Sequence, residues 1–391
     1  MTFGRMPLAN AFVTADDMAA EEFYALEPAF CERCGTFQLT TQPPPARLFK
    51  SDYPFRTGSS TRMVAHFSAL AATLRQRLSA LAPFVVEIGA NDGTLLEALA
   101  SRGCRCVGVD PVEQCVQLVR RRGLEVVHGF FGADLADRIA SERGRADAVV
   151  AANVICHIPD IHSLAEGITR LLRDDGLFVF EDPYLGDLLR MRSYDQIYDE
   201  HVFVWSATSV RAAFGRHGLD LIDVEPLGTH GGSLRYTLAR RGAHAPSARV
   251  QEWLAREKRA AMGERRTYDQ FRRECEVSRD ALRNLLEDLR SRGRRVDGYA
   301  ATSKSTTVLN YGGIDGSLIA RIYDSTPAKQ GKFTPGTHIP IVPSAQFAVD
   351  PPEFAVLFAW IHAEEILDNE RAFAAGGGRW IRFVPDVRIL D

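Results

Sequence analysis

The chain has 391 residues, of which 46% are hydrophobic and 25% charged, with a formal net charge of −3. Its length is about two to three typical domains, its charge balance excludes an indiscriminate nucleic-acid binder, and no apolar run approaches the roughly 20 residues of a membrane span. The opening MTFGRMPLANAF lacks the apolar core of a secretory signal, and seven cysteines without an evident disulfide framework point to the reduced cytoplasm.

Residues 1–62 read as a small module rich in Pro, Phe and short polar turns. Its one sharp feature is Cys31-Glu32-Arg33-Cys34-Gly35. In a C-x-x-C-G turn the glycine lets backbone N–H groups face two thiolates on one cation, as in a zinc knuckle. Structural zinc takes four ligands. Cys104, Cys106, Cys115, Cys156 and Cys275 all fall in regions that read as other domains, so Cys31 and Cys34 are half a metal site, and a bare thiol turn stands beside bound zinc as a reading.

Residues 63–235 alternate strand and helix signals as a parallel doubly wound α/β sheet does. Strands are expected at 85–89, 106–110, 126–127, 148–152 and 177–181, with a further one at 234–238 and a helix at 161–172. The first strand runs into Glu87-Ile88-Gly89-Ala90-Asn91-Asp92-Gly93 and then a helix, and such a turn lets a nucleoside cofactor lie against bare backbone. Asp110 ends the next strand, where a carboxylate can accept ribose hydroxyl protons. The spacing is not the G-x-G-x-x-G of a dinucleotide site. E-x-G-x-x-x-G resembles the class I S-adenosylmethionine methyltransferases, a likeness that implies cofactor contacts from Glu87, Gly89, Asn91, Asp92, Gly93, Asp110 and Asn153. Ligands in such sheets lie beyond the carboxyl ends of the strands, so Gly89, Asp110, Asn153 and Asp182 are expected to ring one pocket.

Ser193-Tyr194-Asp195-Gln196-Ile197-Tyr198-Asp199-Glu200-His201 is dense in titratable groups. It offers a general base, a partner that tunes it and a phenol for a developing oxyanion. His157, just after Asn153, is expected to face the same pocket. Residues 236–391 begin with a charged helical pattern over about 248–292, read as a solvated linker helix or dimer surface. After it, 296–301 reads as a strand entering the turn Thr302-Ser303-Lys304-Ser305, and 320–324 as a strand ending in an acid. This is the pattern of a second, smaller Rossmann-type unit.

The strings PLANAF, CERCG, LFKSDYPFRTGSS, EIGANDGTLL, ANVICHIPD, FEDPYLGD, YDQIYDEHVFVWS, HGGSLRYT, GYAATSKSTTVLNY and DSTPAKQGKFTPGTHIPI resemble, in order, the sugar C-methyltransferases of deoxysugar biosynthesis in antibiotic pathways. The resemblance covers the chain from Pro7 onward. It implies a zinc-binding-type N-terminal module, an S-adenosylmethionine domain and a C-terminal Rossmann-like domain that takes the nucleotide-sugar. The substrate it implies is a dTDP-linked 4-keto-deoxysugar, methylated on the carbon beside the ketone, with C3 favoured over C5. No nucleic-acid or membrane partner is expected. His201 is then the base, Glu200 its orienting partner, and Tyr198, Tyr53 and His157 hold the sugar and its enolate oxygen. Ser303, Lys304, Lys329, Lys332 and, less centrally, His338 fall to the diphosphate. The family module carries four zinc-binding cysteines, the first pair upstream of PLANAF, and this sequence begins after them. Ala301 and Ser305 stand where many relatives have glycine. An O- or N-methyltransferase and a non-catalytic sugar-nucleotide binder are the alternatives.

Overall fold

The computed structural model describes residues 1–49 and 56–390. Its largest sheet is built from β1 (Phe84–Ile88), β2 (Arg105–Asp110), β3 (Val126–His128), β4 (Ala146–Ala152), β5 (Leu172–Pro183), β6 (Leu219–Leu227) and β7 (Ser233–Arg240). The spatial order is β3-β2-β1-β4-β5-β7-β6, parallel through β5, with β7 antiparallel to both its neighbours. Every residue of β1 is buried, as befits a central parallel strand with helices on both faces. On one face, Phe67, Leu70 and Leu74 of the helix Thr61–Arg77 cover Val85, Ala148 and Val150. The chain reverses its winding between β1 and β4, which opens a crevice at the carboxyl ends of these strands.

A second sheet follows, with β8 (Val296–Tyr299), β9 (Ile322–Asp324), β10 (Ile341–Pro343), β11 (Phe354–Leu357), β12 (Arg379–Arg382) and β13 (Arg388–Ile389). Its order is β10-β9-β8-β11-β12-β13, parallel except for the last pair. At the N-terminus Arg5–Pro7 pairs with Phe23–Ala25, and Pro28–Phe30 with Phe37–Leu39. The latter strand also pairs with Phe203–Val204, two residues beyond His201, so the small module is stitched to the loop that carries the titratable cluster.

Two expectations need correction, and one strand was not anticipated. The division at 235 cuts β7, which continues to Arg240 because its partners in β5 and β6 extend that far. The neighbouring β6 escapes a sequence reading because a register shift between Leu221 and Asp223 breaks its alternation. The charged pattern over 248–292 is two helices, Ala248–Arg259 and Arg265–Ser291, separated where Ala261 takes a φ of 54°. Nor are they merely solvated: Trp253, Phe271, Cys275, Leu282 and Leu286 lie in the main core.

Candidate active site

A cavity of about 980 Å³ lies at the carboxyl ends of β1, β2 and β4. On one side it is lined by Glu87, Gly89, Ala90, Asn91, Asp110 and Asn153, and on the other by His157, Tyr198, Glu200, His201, Thr302, Ser303, Lys304 and Lys329. The glycine bend is sterically required. Gly89 has a φ of +74°, and a Cβ there would lie 2.3 Å from a methyl of Val154. Asp110 pins the bend, its two carboxylate oxygens accepting the N–H groups of Asn91 and Val112 at 2.8 Å each. Burial raises its pKa to about 6 against those hydrogen bonds. Each oxygen keeps a second lone pair for a ribose hydroxyl.

Asn153, at a φ of 56°, and Glu87 each bring a buried oxygen without a hydrogen-bond partner among the described residues, Oδ1 and Oε2 respectively. Buried polar atoms are nearly always paired, so these orphans fit a polar ligand such as the amino-acid end of S-adenosylmethionine. Burial, then Asp110 and Asp92, push the Glu87 carboxyl well above its ordinary value. Phe130, exposed and lining the cavity in Gly129-Phe130-Phe131, was not singled out from sequence; an aromatic pair directly after the glycine that follows β3 was the available signal.

Asp92 and Gly93 do not line the cavity. The Asp92 carboxylate accepts the Gly58 N–H at 2.7 Å and the Thr94 hydroxyl at 2.6 Å, which locks the start of the following helix to the segment before Thr61. Asp182 is also off the cavity. It is fully buried, accepts the Cys156 N–H at 2.8 Å, and so holds the short turn Ile155–His157 from beneath, with burial raising its pKa to about 8.

The titratable cluster is assembled by the loop between Gln196 and His201. His201 Nδ1 lies 2.8 Å from the Gln196 carbonyl, which can only accept, so the proton sits on Nδ1 and Nε2 carries a lone pair. That lone pair faces the Tyr198 hydroxyl at 2.8 Å. The His157 ring stands edge-on to His201 with centroids 5.2 Å apart, and its Nδ1 is 3.8 Å from Glu200 Oε2. Burial lowers the pKa of His157 to about 4; burial and then the neighbouring His157 and Lys304 charges hold His201 well below its ordinary value. Both imidazoles are therefore neutral, and basic lone pairs are available near pH 7.

Two partners were missed. Asn10 donates from Nδ2 to Glu200 Oε1 at 2.6 Å, across 190 residues of sequence. His230, in the turn Thr229–Gly231, also lines the cavity with a φ of 52° and a pKa lowered to about 3 by burial. Asn10 lay inside PLANAF and His230 inside HGGSLRYT, so only their strings hinted at them.

The expected diphosphate set separates. Ser303 and Lys304 open the helix Ser303–Gly312 at the cavity wall, behind a Thr302–Ser305 capping box. Lys329 lines the cavity, but its ammonium is 2.7 Å from the Ala301 carbonyl and 3.8 Å from Asp324 Oδ2. Lys332 does not line it. His338 is hydrogen-bonded instead to Glu21 of the N-terminal module, whose other oxygen takes the Gly336 N–H at 2.9 Å. Tyr53 lies outside the described residues.

At Cys31 the knuckle turn forms: Gly35, at a φ of 69°, donates its N–H to the Cys31 carbonyl at 2.8 Å, and hydrogen bonds from Cys34 lower the Cys31 thiol. Among the described residues no third His, Cys or carboxylate joins Cys31 and Cys34 in a ligating group. The two thiols alone do not make a four-ligand zinc site.

Three family models match in succession: "Putative zinc binding domain" over residues 1–49, "Methyltransferase domain" over 63–224 and "C-methyltransferase C-terminal domain" over 228–385. The C-methyltransferase NovU of Streptomyces niveus is 35% identical over 100% of this chain and 94% of its own. A ubiquinone biosynthesis O-methyltransferase of Xylella fastidiosa is 28% identical over 27% of this chain and 44% of its own. The solved PH0226 protein of Pyrococcus horikoshii is 17% identical, with a TM-score of 0.40, over 50% of this chain and 98% of that one. The full-length carbon-methylating relative sets aside the O-methyl, N-methyl and non-catalytic alternatives, and the chain belongs to the S-adenosylmethionine-dependent C-methyltransferases.

Proposed function

We propose that the enzyme methylates a carbon beside the ketone of a dTDP-linked 4-keto-deoxysugar. S-Adenosylmethionine supplies an electrophilic methyl group. His201 Nε2 takes the proton from the carbon flanking the ketone, the C–H electron pair becomes the enolate double bond, and the carbonyl pair moves to oxygen. As the substrate enters, Tyr198 turns its O–H from His201 to that oxygen, which frees the imidazole lone pair; His157 completes the sugar pocket, a role the resemblance also gives Tyr53, and Glu200, displaced by the Gln196 carbonyl as the partner that orients His201, steers His157 and the proton traffic. The donor held at the Gly89 bend would present its methyl to the enolate carbon and take the S–C pair on sulfur as C=O re-forms.

Glu87, Gly89, Asn91, Asp110 and Asn153 hold the donor, while Asp92 and Gly93 shape the bend. Ser303 and Lys329 lie on the nucleotide side. We keep three units, 1–62, 63–235 and 236–391, with β7 carrying the second on to Arg240, and seven free cysteines fit a cytoplasmic enzyme. C3 is the carbon favoured by resemblance; how the ring seats decides between C3 and C5.

One observation carries the reading: a neutral imidazole whose basic nitrogen meets the Tyr198 phenol, both lining the same cavity as the Gly89 bend. The test is incubation with S-adenosylmethionine and a panel of dTDP-4-keto-6-deoxyhexoses, with the new methyl located by NMR. A His201→Asn variant is expected to lose at least about a hundredfold in turnover, the usual worth of a general base, while still binding S-adenosylmethionine. Turnover within a few-fold of the parent enzyme would remove His201 from the mechanism.

A further inference from the structure

Lys304 is the cation whose place the nucleotide reading leaves unexplained. It sits at the second position of the helix Ser303–Gly312, half-buried, on the wall shared with the catalytic loop. Its Nζ lies 5.7 Å from the centre of the Tyr198 ring, the phenol that contacts His201. Lys329, by contrast, already has the Ala301 carbonyl and Asp324. The Lys304 ammonium makes no hydrogen bond or ion pair with a described residue; burial pulls its pKa down, while Asp195, Cys156 and Glu200 are near enough to favour its charge. Asp195 is itself occupied by the Trp360 indole N–H at 2.7 Å, and Glu200 by Asn10. An uncompensated cation facing a cavity costs free energy unless an anion arrives to meet it.

The ligand offers two anions, and their positions differ. The diphosphate is bonded to the anomeric carbon, on the opposite side of the sugar ring from the C4 ketone. The ketone carbon is bonded directly to the carbon whose proton His201 removes. A cation stacked beside Tyr198 and His201 is therefore next to the oxygen that gains charge.

Resting on the ketosugar reading above, we propose that Lys304 is a catalytic residue that stabilises the enolate oxygen, and not a ligand of the diphosphate. As the C–H proton passes to His201 and the carbonyl pair moves onto oxygen, the ammonium meets the new negative charge, and the charge is dissipated when carbon takes the methyl. Burial is the chief cause of the lowered pKa of His157, His201 and His230, and the Lys304 charge adds to it in all three. A nearby cation reinforces burial in keeping the base unprotonated while it waits to receive an anion.

Enolisation can be read separately from methyl transfer. The full-length enzyme, with S-adenosylhomocysteine in the donor site, is mixed with dTDP-4-keto-6-deoxyglucose in D2O, and deuterium entry at C3 and C5 is followed by NMR; dTDP binding is measured by calorimetry. For Lys304→Met, exchange at saturating sugar is expected to fall at least about a hundredfold, the usual worth of an oxyanion partner, with the dTDP Kd changed less than about threefold. Lys304→Arg, which keeps the charge, should retain more exchange than Lys304→Met and guards against a folding defect. A tenfold or greater loss of dTDP affinity with unchanged exchange would return Lys304 to the diphosphate. Unchanged exchange and unchanged dTDP binding would leave it no role in either. Absence of exchange by the parent enzyme across the whole ketosugar panel would instead overturn the substrate reading, and this inference with it.

Discussion

Glu200 is held by a residue outside its own loop. Asn10 bonds one carboxylate oxygen, while the other points toward His157. The neighbouring Asp199 is fastened to the same segment by the Ala9 N–H at 3.1 Å. Replacing Asn10 by Asp sets a second carboxylate against Glu200 and removes a donor to a charged acceptor, an interaction worth about 1.5–3 kcal/mol. Turnover of Asn10→Asp is expected to fall roughly tenfold or more with little change in S-adenosylmethionine affinity, since the cofactor wall is untouched. Steady-state kinetics with donor titration checks this; equal losses in both would point to general misfolding. Tyr198, Glu200 and His201 were legible because they are adjacent in sequence and chemically conspicuous. Asn10 and the orientation of Lys304 were not, because an amide and a lysine acquire meaning only from neighbours far away along the chain, Glu200 for the one and Tyr198 for the other.

At the scale of elements, the same clasp occurs twice. Asp110 closes the β1 turn by accepting from Asn91 and Val112, and Asp324 closes the β8 turn by accepting from Ala301 at 2.8 Å and Thr326 at 2.7 Å. Strand, turn, helix and terminal acid were visible in both halves as pattern. Their difference was not: Lys329 reaches Asp324, whereas Asp110 faces an open cavity. In the first clasp the glycine is indispensable. Gly89→Ala forces a side chain into a left-handed conformation and against Val154, so a destabilisation of about 1–3 kcal/mol is expected from backbone strain alone, with any overlap adding to it. Denaturant unfolding checks the stability, and a parent-like midpoint would show that the bend can relax.

For the whole molecule, the site exists because three distant segments meet. The Thr306 hydroxyl bonds the Ala9 carbonyl and the Thr307 hydroxyl bonds the Ile197 carbonyl, each at 2.9 Å, so the helix Ser303–Gly312 clamps both the N-terminal loop and the catalytic loop. The main core includes Phe3, Phe214, Leu286 and Ile381, which come from every part of the chain. Beneath the site lies the buried Asp182 carboxyl, raised from 3.8 to about 8 chiefly by burial. Between those values the folded protein holds a proton that the unfolded chain releases. The stability this confers is complete below about 3.8 and is lost as pH rises toward about 8. Asp182→Asn removes the titration and keeps an acceptor for the Cys156 N–H. Between about pH 6 and pH 8.5 the Tm of the parent should therefore fall more than that of Asp182→Asn. Thermal unfolding across that range checks it, and parallel curves would place the Asp182 pKa elsewhere.

Local order was determined by the sequence itself: the buried strand β1, its obligatory glycine bend, the acid at the end of β2 and the row of titratable groups ending at His201. These depend on side-chain period, backbone sterics and chemistry within a few residues. Only the tertiary structure decided which groups share a cavity. It turned Asp92, Asp182 and His338 to structural duty, brought Asn10 and His230 to the site, and left the Lys304 cation beside the base. Burial and long-range partners set a group's charge and direction, and neither is encoded by its neighbours along the chain.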